Sequence, residues 1–168
     1  MELISAVETR ISAARLAAPG PSPEELDRLL QAAGRAPDHG RLKPWRFIVL
    51  TDTLREAFTA AAAEAKLVRL PAMTAEQLAA EREKMNRSPT IVVIGCAVNR
   101  AQTKIPEIEQ VIAVGAAAQN LFLAAHDMGY GVMWKTGAAA YDPDVKAVVG
   151  LKPTDHSVGI SHLGTRVK

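Results

Sequence analysis

Apolar residues near the start of the chain recur at spacings of three and four, which is typical of an amphipathic helix. Leu3, Ile4, Val7 and Ile11 follow this spacing. They predict a first helix that frays near Arg10.

The next segment contains a complete set of helix-start signals. Ser22 is placed as an N-cap, Pro23 as the first helical residue, and Glu25 completes a capping box three residues after the serine. The buried stripe of this second helix is predicted to be Leu26, Leu29, Leu30 and Ala33, and Pro37 is predicted to stop it.

In the rest of the chain, short apolar runs alternate with segments whose apolar residues have helical spacing. This pattern predicts strands at 45–51, 89–98, 130–134 and 156–164, and helices at 55–68, 74–87, 106–129 and 142–150. The run at 89–98 is apolar throughout, so it is expected to be a central strand. The helix at 106–129 is apolar on nearly every side, which predicts deep burial or packing against a partner subunit. Four charged residues of the 74–87 helix are expected to form a solvated face: Glu81, Glu83, Lys84 and Arg87. Unequal helices between short strands indicate a single α+β domain over residues 1–168.

Composition narrows the function classes. The formal net charge is +2 and aromatic residues make up 4% of the chain, so neither a nucleic-acid surface nor a base-stacking platform is indicated. The single cysteine, Cys96, excludes an internal disulfide, and its apolar neighbours predict a buried, inert thiol. The N-terminus has no hydrophobic signal region, and the expectation is a cytoplasmic protein.

Several catalytic motifs are absent from the sequence. No dinucleotide-binding or phosphate-binding glycine motif is present, and the four histidines lack metal-ligand spacing. No nucleophile elbow is present either. A hydrolase or a metalloenzyme is therefore not indicated, and any chemistry is expected to come from a bound cofactor.

Four segments carry polar residues that their local structure does not require. An arginine fork and a hydroxyl two residues apart, Arg10 and Ser12, are suited to a phosphate. The loop "RAPDHGRLKPW" at 35–45 holds more basic groups than its turn needs. "WKTG" at 134–137 ends a strand, and "LGTRVK" closes the chain.

These segments, in this order, resemble the nitroreductase family of FMN-dependent NAD(P)H oxidoreductases, and most closely its short single-domain YdjA-type branch. The matching stretches are "RIS" at 10–12, "RAPDH" at 35–39 with "PWRF" at 44–47, "WKTG", and "LGT" at 163–165. The resemblance implies an α+β, nitroreductase-like fold: a central, mostly antiparallel sheet flanked by helices, a long buried central helix, and a homodimer with FMN at the subunit interface.

The resemblance also implies roles for particular residues. Those assigned to FMN are Arg10, Ile11, Ser12, Arg35, His39, Trp134, Lys135 and Thr136, with Arg35 and His39 reaching the flavin from the other subunit. Those assigned to the nicotinamide nucleotide are Ala124, Ala125, His126, Asp127, Met128 and Gly129. No metal is implied, and no protein acid or base is needed because flavin N5 carries the hydride.

Two departures from the family pattern bear on the site. Ile11 stands where a second arginine is usual, and Lys43 stands where a glutamine commonly precedes "PW". The implied activity is ping-pong reduction of nitroaromatics, quinones or similar acceptors. Two alternatives stay open: a flavin-binding carrier or sensor without turnover, and a helical interaction protein without cofactor.

Overall fold

A five-stranded sheet organises the chain in the computed structural model, which describes residues 2–167. The strands are β1 (Leu16–Ala17), β2 (Trp45–Val49), β3 (Thr90–Cys96), β4 (Tyr130–Lys135) and β5 (His156–Arg166). All four pairings are antiparallel: β5 pairs with β1, β3 and β4, and β3 also pairs with β2. The predicted central position of the 89–98 strand is therefore confirmed.

The sheet divides the core into two layers because successive side chains of a strand point to opposite faces. Val92, Ile94 and Cys96 join one apolar cluster, which includes residues of the second and the longest helix. Ile91 and Val93 join another on the opposite face. Burial on both faces explains why β3 is apolar from Ile91 to Cys96 rather than alternating.

Residues 2–167 form six α-helices. They are α1 (Leu3–Thr9), α2 (Pro23–Ala33), α3 (Asp52–Arg69), α4 (Ala75–Glu83), α5 (Glu107–Asp127) and α6 (Pro143–Val148), with short 3₁₀ turns at 39–41, 84–86 and 138–141. The capping box of α2 is present as predicted, and α1 ends at Arg10. Helices α2 and α5 pack on one face of the sheet, and α3 and α6 on the other.

The outer surface of α5 is apolar, as its inner surface is. Eight of its residues are buried, yet Ile108 and Ile112 are more than 60% exposed, and a side chain at Gly115 would meet open space. In α1, Ala6 is buried but Leu3, Ile4 and Val7 are exposed, as is Ile11 just after the helix. Within residues 2–167, α5 alone is long and apolar enough to cross a membrane, criteria that a buried core helix also meets.

Two features differ from the sequence-based expectations. The short strand β1, which pairs Leu16 with Arg166, has no run of apolar residues to reveal it. Glu81 does not lie on a solvated face, because it is half-buried between Lys66 and Lys84 and forms ion pairs with both.

Candidate functional site

The segment after α1 lies along the outer edge of β4. Ser12 forms a parallel bridge with Val132, and the Ala13 N–H donates to the Val132 carbonyl at 2.9 Å. Arg10 is half-buried at the end of the helix. The arginine and the hydroxyl are thereby held beside the first half of the strand.

The far end of the same strand carries the second predicted group. Lys135 lies three residues beyond Val132, which is about 10 Å along an extended strand. Lys135, Thr136 and Gly137 are exposed, and Gly137 has a positive φ of 58° that favours glycine. Past Val132, no described strand pairs with this edge of β4. Its free backbone groups are available to a ligand.

Trp134 and Lys135 point to opposite faces of the sheet. The Trp134 ring packs against Phe122 of α5 with centroids 5.4 Å apart, and its Nε1–H donates to the Val158 carbonyl at 3.2 Å. A Cβ at Gly159 would collide with this indole. Trp134 is therefore an edge residue on the α5 side, and its side chain is separated from that of Lys135 by the strand.

A cavity of about 640 Å³ opens beside Lys135, between α3, α4 and the sheet. Its apolar wall includes Ala62, Ala63, Met85 and Ile160. Its cationic side chains are Lys66, Arg69, Lys84, Arg87 and Lys135. The one carboxylate that lines it, Glu81, has its pKa lowered by hydrogen bonds from Lys66 and Lys84.

His162 lies at the floor of this cavity and is 2% exposed. Ser88 Oγ donates to the Thr90 carbonyl at 3.1 Å, so it accepts from Nδ1–H of His162 at 2.9 Å. This assigns the proton to Nδ1. Burial lowers the pKa of His162 to about 4, with the nearby charges of Arg87, Arg55 and Lys135 adding to the effect.

The loop at 35–43 displays its polar side chains far from β4. Arg35 and His39 are exposed, and His39 Nδ1 lies 2.6 Å from Glu109 Oε2 on the first turn of α5. Arg41 and Lys43 have positive φ values of 54° and 47°, and the Lys43 N–H donates to Asp38 Oδ2 at 2.6 Å. Strained non-glycine residues of this kind cluster at functional sites.

Helix α5 shows how far apart the predicted residues lie. Thr9, next to Arg10, is hydrogen-bonded to His126 in the last turn of α5. His39 is hydrogen-bonded to Glu109 in the first turn of the same helix. Seventeen residues of helix separate these contacts, or about 25 Å. One chain therefore brings Arg10, Ser12, Lys135 and Thr136 to one edge, and holds His39 at the opposite end of α5.

The predicted nucleotide segment is the end of α5 and its turn. Ala125 is fully buried and Met128 packs against the core, so neither side chain faces a ligand. The Nε2–H of His126 donates to Thr9 Oγ1 at 2.9 Å, since that hydroxyl donates to the Ser5 carbonyl. Asp127 and Gly129 are exposed, and Gly129 has a positive φ of 88°.

The residues that sequence reasoning missed are those of the cavity. Lys66, Lys84, Arg87 and His162 come from three separate segments that fold onto one space. No motif joins them, and His162 reads as a structural residue in a strand. Tertiary packing alone brings them together.

Comparisons with known proteins agree with this architecture. The family model described as "Nitroreductase family" matches residues 10–165. A curated protein of Escherichia coli (strain K12), "Putative NAD(P)H nitroreductase YdjA", is 34% identical over 167 residues, which cover 98% of this chain and 88% of YdjA.

Solved structures have the same fold. A nitroreductase-like family protein from Bacillus cereus superposes with a TM-score of 0.83 at 24% identity, covering 100% of this chain and 87% of that one. A nitroreductase with bound FMN from Bacteroides fragilis gives 0.72 at 20% identity, covering 99% and 89%. These two structures confirm the predicted α+β fold.

Proposed function

The chain belongs to the nitroreductase family, and from that premise we propose that it is an oxidoreductase that binds FMN and takes electrons from NAD(P)H. The observation that carries the proposal is the arrangement along β4. Two groups lie on one edge of this strand, about 10 Å apart. One is Arg10 with Ser12, which are suited to bind a phosphate, and the other is the cationic strand end, Lys135 with Thr136. That spacing suits a molecule with a phosphate at one end and a ring at the other.

The side chains present fit this cofactor. Arg10 and Ser12 hold the phosphate through charge-assisted and hydroxyl hydrogen bonds, and Ile11 contributes backbone contacts only. Trp134, Lys135 and Thr136 border the ring, with Lys135 able to stabilise the negative charge of a reduced flavin. When bound, FMN supplies the hydride chemistry, by ping-pong transfer through N5 to nitroaromatic, quinone or similar acceptors.

A homodimer completes the site in this proposal. Two α5 helices that pair antiparallel and cross near Gly115 and Ala116 bring Glu109 of the partner subunit beside Phe122. The partner's Arg35 and His39 then reach the ring bordered by Trp134. The open space at Gly115 and the exposed Ile108 and Ile112 suit such a crossing.

The donor nucleotide is assigned to the turn after α5. Segment 124–129 adjoins Arg10 through the Thr9–His126 hydrogen bond, so a nucleotide there lies next to the proposed phosphate site. Its exposed groups are those of Asp127 and Gly129. We place the protein in the cytoplasm.

The first test is the visible absorption spectrum of the purified protein, followed by release and identification of its chromophore. The expected result is a yellow protein that releases FMN and consumes NAD(P)H steadily when an acceptor such as menadione is added. A yellow protein without steady turnover would instead support the carrier or sensor alternative. A protein that stays colourless after mixing with FMN would support the cofactor-free alternative.

A further inference from the structure

A cleft beside the edge strand β2 is lined by none of the residues assigned to FMN or to the nicotinamide nucleotide. It lies between β2, the segment 97–100 that follows β3, and the segment 149–155 that precedes β5. Its volume is about 610 Å³, which is within the range of small-molecule sites. Because β3 and β5 lie between β2 and β4, the two outer strands are about 14 Å apart.

The cleft also lies on a different face of the sheet from the contact between the 35–43 loop and α5. Ile48 lines the cleft and packs with the cluster on the α3 side, and Arg46 points the same way because it is two residues away along the strand. His39 is instead hydrogen-bonded to Glu109 of α5, which packs on the opposite face. The cleft is therefore separate from the site described above.

Basic side chains reach the cleft from all three of its segments. They are Arg46 of β2, Arg100 of the segment after β3, and Lys152 of the segment before β5. Arg100 forms an ion pair with Glu107 at 2.8 Å. Asp155, the acidic residue that lines the cleft in the described chain, is 7% exposed and accepts from the Lys152 backbone N–H at 3.0 Å. Its carboxylate is thus tied into its own turn, and the charge of the cleft is positive.

Arg46 and Lys152 have donors that are available to a ligand. Arg46 uses only Nη1, which donates to the Trp45 carbonyl at 2.8 Å and to the Lys43 carbonyl at 3.1 Å. Among residues 2–167, its Nε and Nη2 have no hydrogen-bond partner, and neither does the Nζ of Lys152. Neither side chain has an acidic partner in that part of the protein.

A buried cation lies beneath the wall that carries Lys152. Lys146 is 9% exposed, and its Nζ donates to the carbonyls of Pro153 at 2.6 Å and Asp155 at 3.0 Å. These bonds hold the turn in one conformation. Because water screens a buried charge less than an exposed one, Lys146 also adds to the positive potential on this side of the cleft.

We propose that the cleft binds a small organic phosphate, with its anionic group between Arg46 and Lys152. A phosphate directs its terminal oxygens toward different sides, so cations on two walls can each bond a separate oxygen, whereas a carboxylate is matched by one arginine fork. The organic part lies against the apolar lining, which includes Ile48 and Leu151. This second ligand site goes beyond the proposed function, because binding there requires no flavin and no electron transfer.

Calorimetric titration with phenyl phosphate at about pH 8, where the phosphate is a dianion, tests the proposal. Saturating FMN is present, so that the proposed phosphate site at Arg10 and Ser12 is occupied. The wild type is expected to bind phenyl phosphate saturably and more tightly than benzoate. The affinity is expected to fall about fivefold in Arg46→Gln and in Lys152→Gln, as for loss of one partly exposed charge interaction. The double variant is expected to lose about twenty-five-fold if the two losses are independent.

Two control variants accompany the titration. Lys152→Arg keeps the charge and is expected to keep the affinity. Arg28→Gln removes a charge from the exposed surface of α2, on the other face of the sheet, and is expected to bind as the wild type does. Should Arg46→Gln fold poorly through loss of its backbone hydrogen bonds, Lys152→Gln alone tests the cleft.

Three outcomes would overturn the proposal. The first is no saturable binding by the wild type, or an affinity that neither Arg46→Gln nor Lys152→Gln changes. The second is tighter binding of benzoate than of phenyl phosphate. The third is a larger loss in Arg10→Ala than in Lys152→Gln, which would place the ligand at the proposed flavin phosphate site. Failure of the proposed function is distinct: the protein would stay colourless with FMN, while the losses in Arg46→Gln and Lys152→Gln remain.

Discussion

Arg10 is the residue whose assigned role is most directly measurable. It ends α1 and adjoins Ser12 on the β4 edge. A charge-assisted hydrogen bond to phosphate contributes roughly 1.5–3 kcal/mol, so Arg10→Ala is expected to weaken FMN binding about tenfold to a hundredfold or slightly more. Fluorescence titration of the apoprotein with FMN measures this change.

Riboflavin provides a control for this prediction because it lacks the phosphate. Its affinity is expected to be nearly the same in wild type and Arg10→Ala. Arg28→Ala, on the exposed surface of α2, is expected to bind FMN as the wild type does. An FMN affinity unchanged in Arg10→Ala would remove this arginine from the phosphate site.

His162 makes stability depend on pH. Burial lowers the pKa of His162 in the folded state to about 4, whereas its ordinary pKa is 6.5. As pH falls below 6.5, the unfolded chain therefore takes up the proton before the folded protein does. The contribution is therefore complete above about pH 6.5 and is lost as pH falls toward 4. Between pH 7 and pH 5 the expected loss is about 2 kcal/mol.

The matched variant for this prediction is His162→Gln, which has no titrating group at the same position. Urea unfolding of both proteins at pH 7, 6 and 5 isolates the His162 contribution, since the acidic side chains are common to both. The wild type is expected to lose stability more steeply. Parallel pH dependences in the two proteins would mean that the ring has the same pKa in the folded and unfolded states.

At the scale of single elements, α2 and α4 begin with the same kind of N-terminal cap but differ in how much they bury. Ser22 of α2 and Thr74 of α4 both form capping boxes, but α2 buries Leu29 and Ala33 whereas α4 buries no residue. Ser22→Ala is expected to cost about 1 kcal/mol and to lower Tm by roughly 2–4 °C. Thr74→Ala is expected to change Tm little, because α4 can open without the core.

Hydrogen exchange distinguishes the two cap variants. Thr74→Ala is expected to speed exchange over Ala75–Glu83 alone, while Ser22→Ala raises exchange throughout the core through global unfolding. The same loss of Tm in both variants would show that α4 unfolds cooperatively with the sheet.

Local signals explain which elements could be predicted from the sequence. The helix caps at Ser22, Thr74 and Asp142 are predicted by residues close to them in the sequence. Strand β3 is predicted by seven apolar or small residues in succession. Strand β1 could not be foreseen, since its two residues pair only with the far end of the chain.

The cavity is unpredictable for the same reason. Its cations are scattered over segments that meet only after folding; Lys84 and Arg87 are exposed, as predicted, and also border the cavity. The opposite orientations of Trp134 and Lys135 do follow from strand alternation once β4 is known. The sequence does not reveal the pairing register of β4, and that register decides which face of the sheet each side chain points to.

At the scale of the whole molecule, the separation along α5 is the central constraint. Of the groups assigned to FMN, Arg10 and His39 lie beside opposite ends of this helix, about 25 Å apart. In the homodimer proposed above, a two-fold axis through the middle of α5 joins His39 of one subunit to the β4 edge of the other. That proposal couples dimerisation to cofactor binding, because separating the subunits would remove Arg35 and His39 from the ring.

Ile112 tests that coupling. It is 63% exposed on the outer surface of α5, so Ile112→Asp leaves the chain's own core intact while placing a charge where the two helices would meet. The variant is expected to be monomeric by light scattering and to bind FMN at least tenfold more weakly. Val68→Asp is the matched control, because Val68 is 72% exposed on α3, away from α5. A dimeric Ile112→Asp protein would place the interface elsewhere. A monomer with unchanged FMN affinity would show that one chain holds the cofactor without the partner's loop.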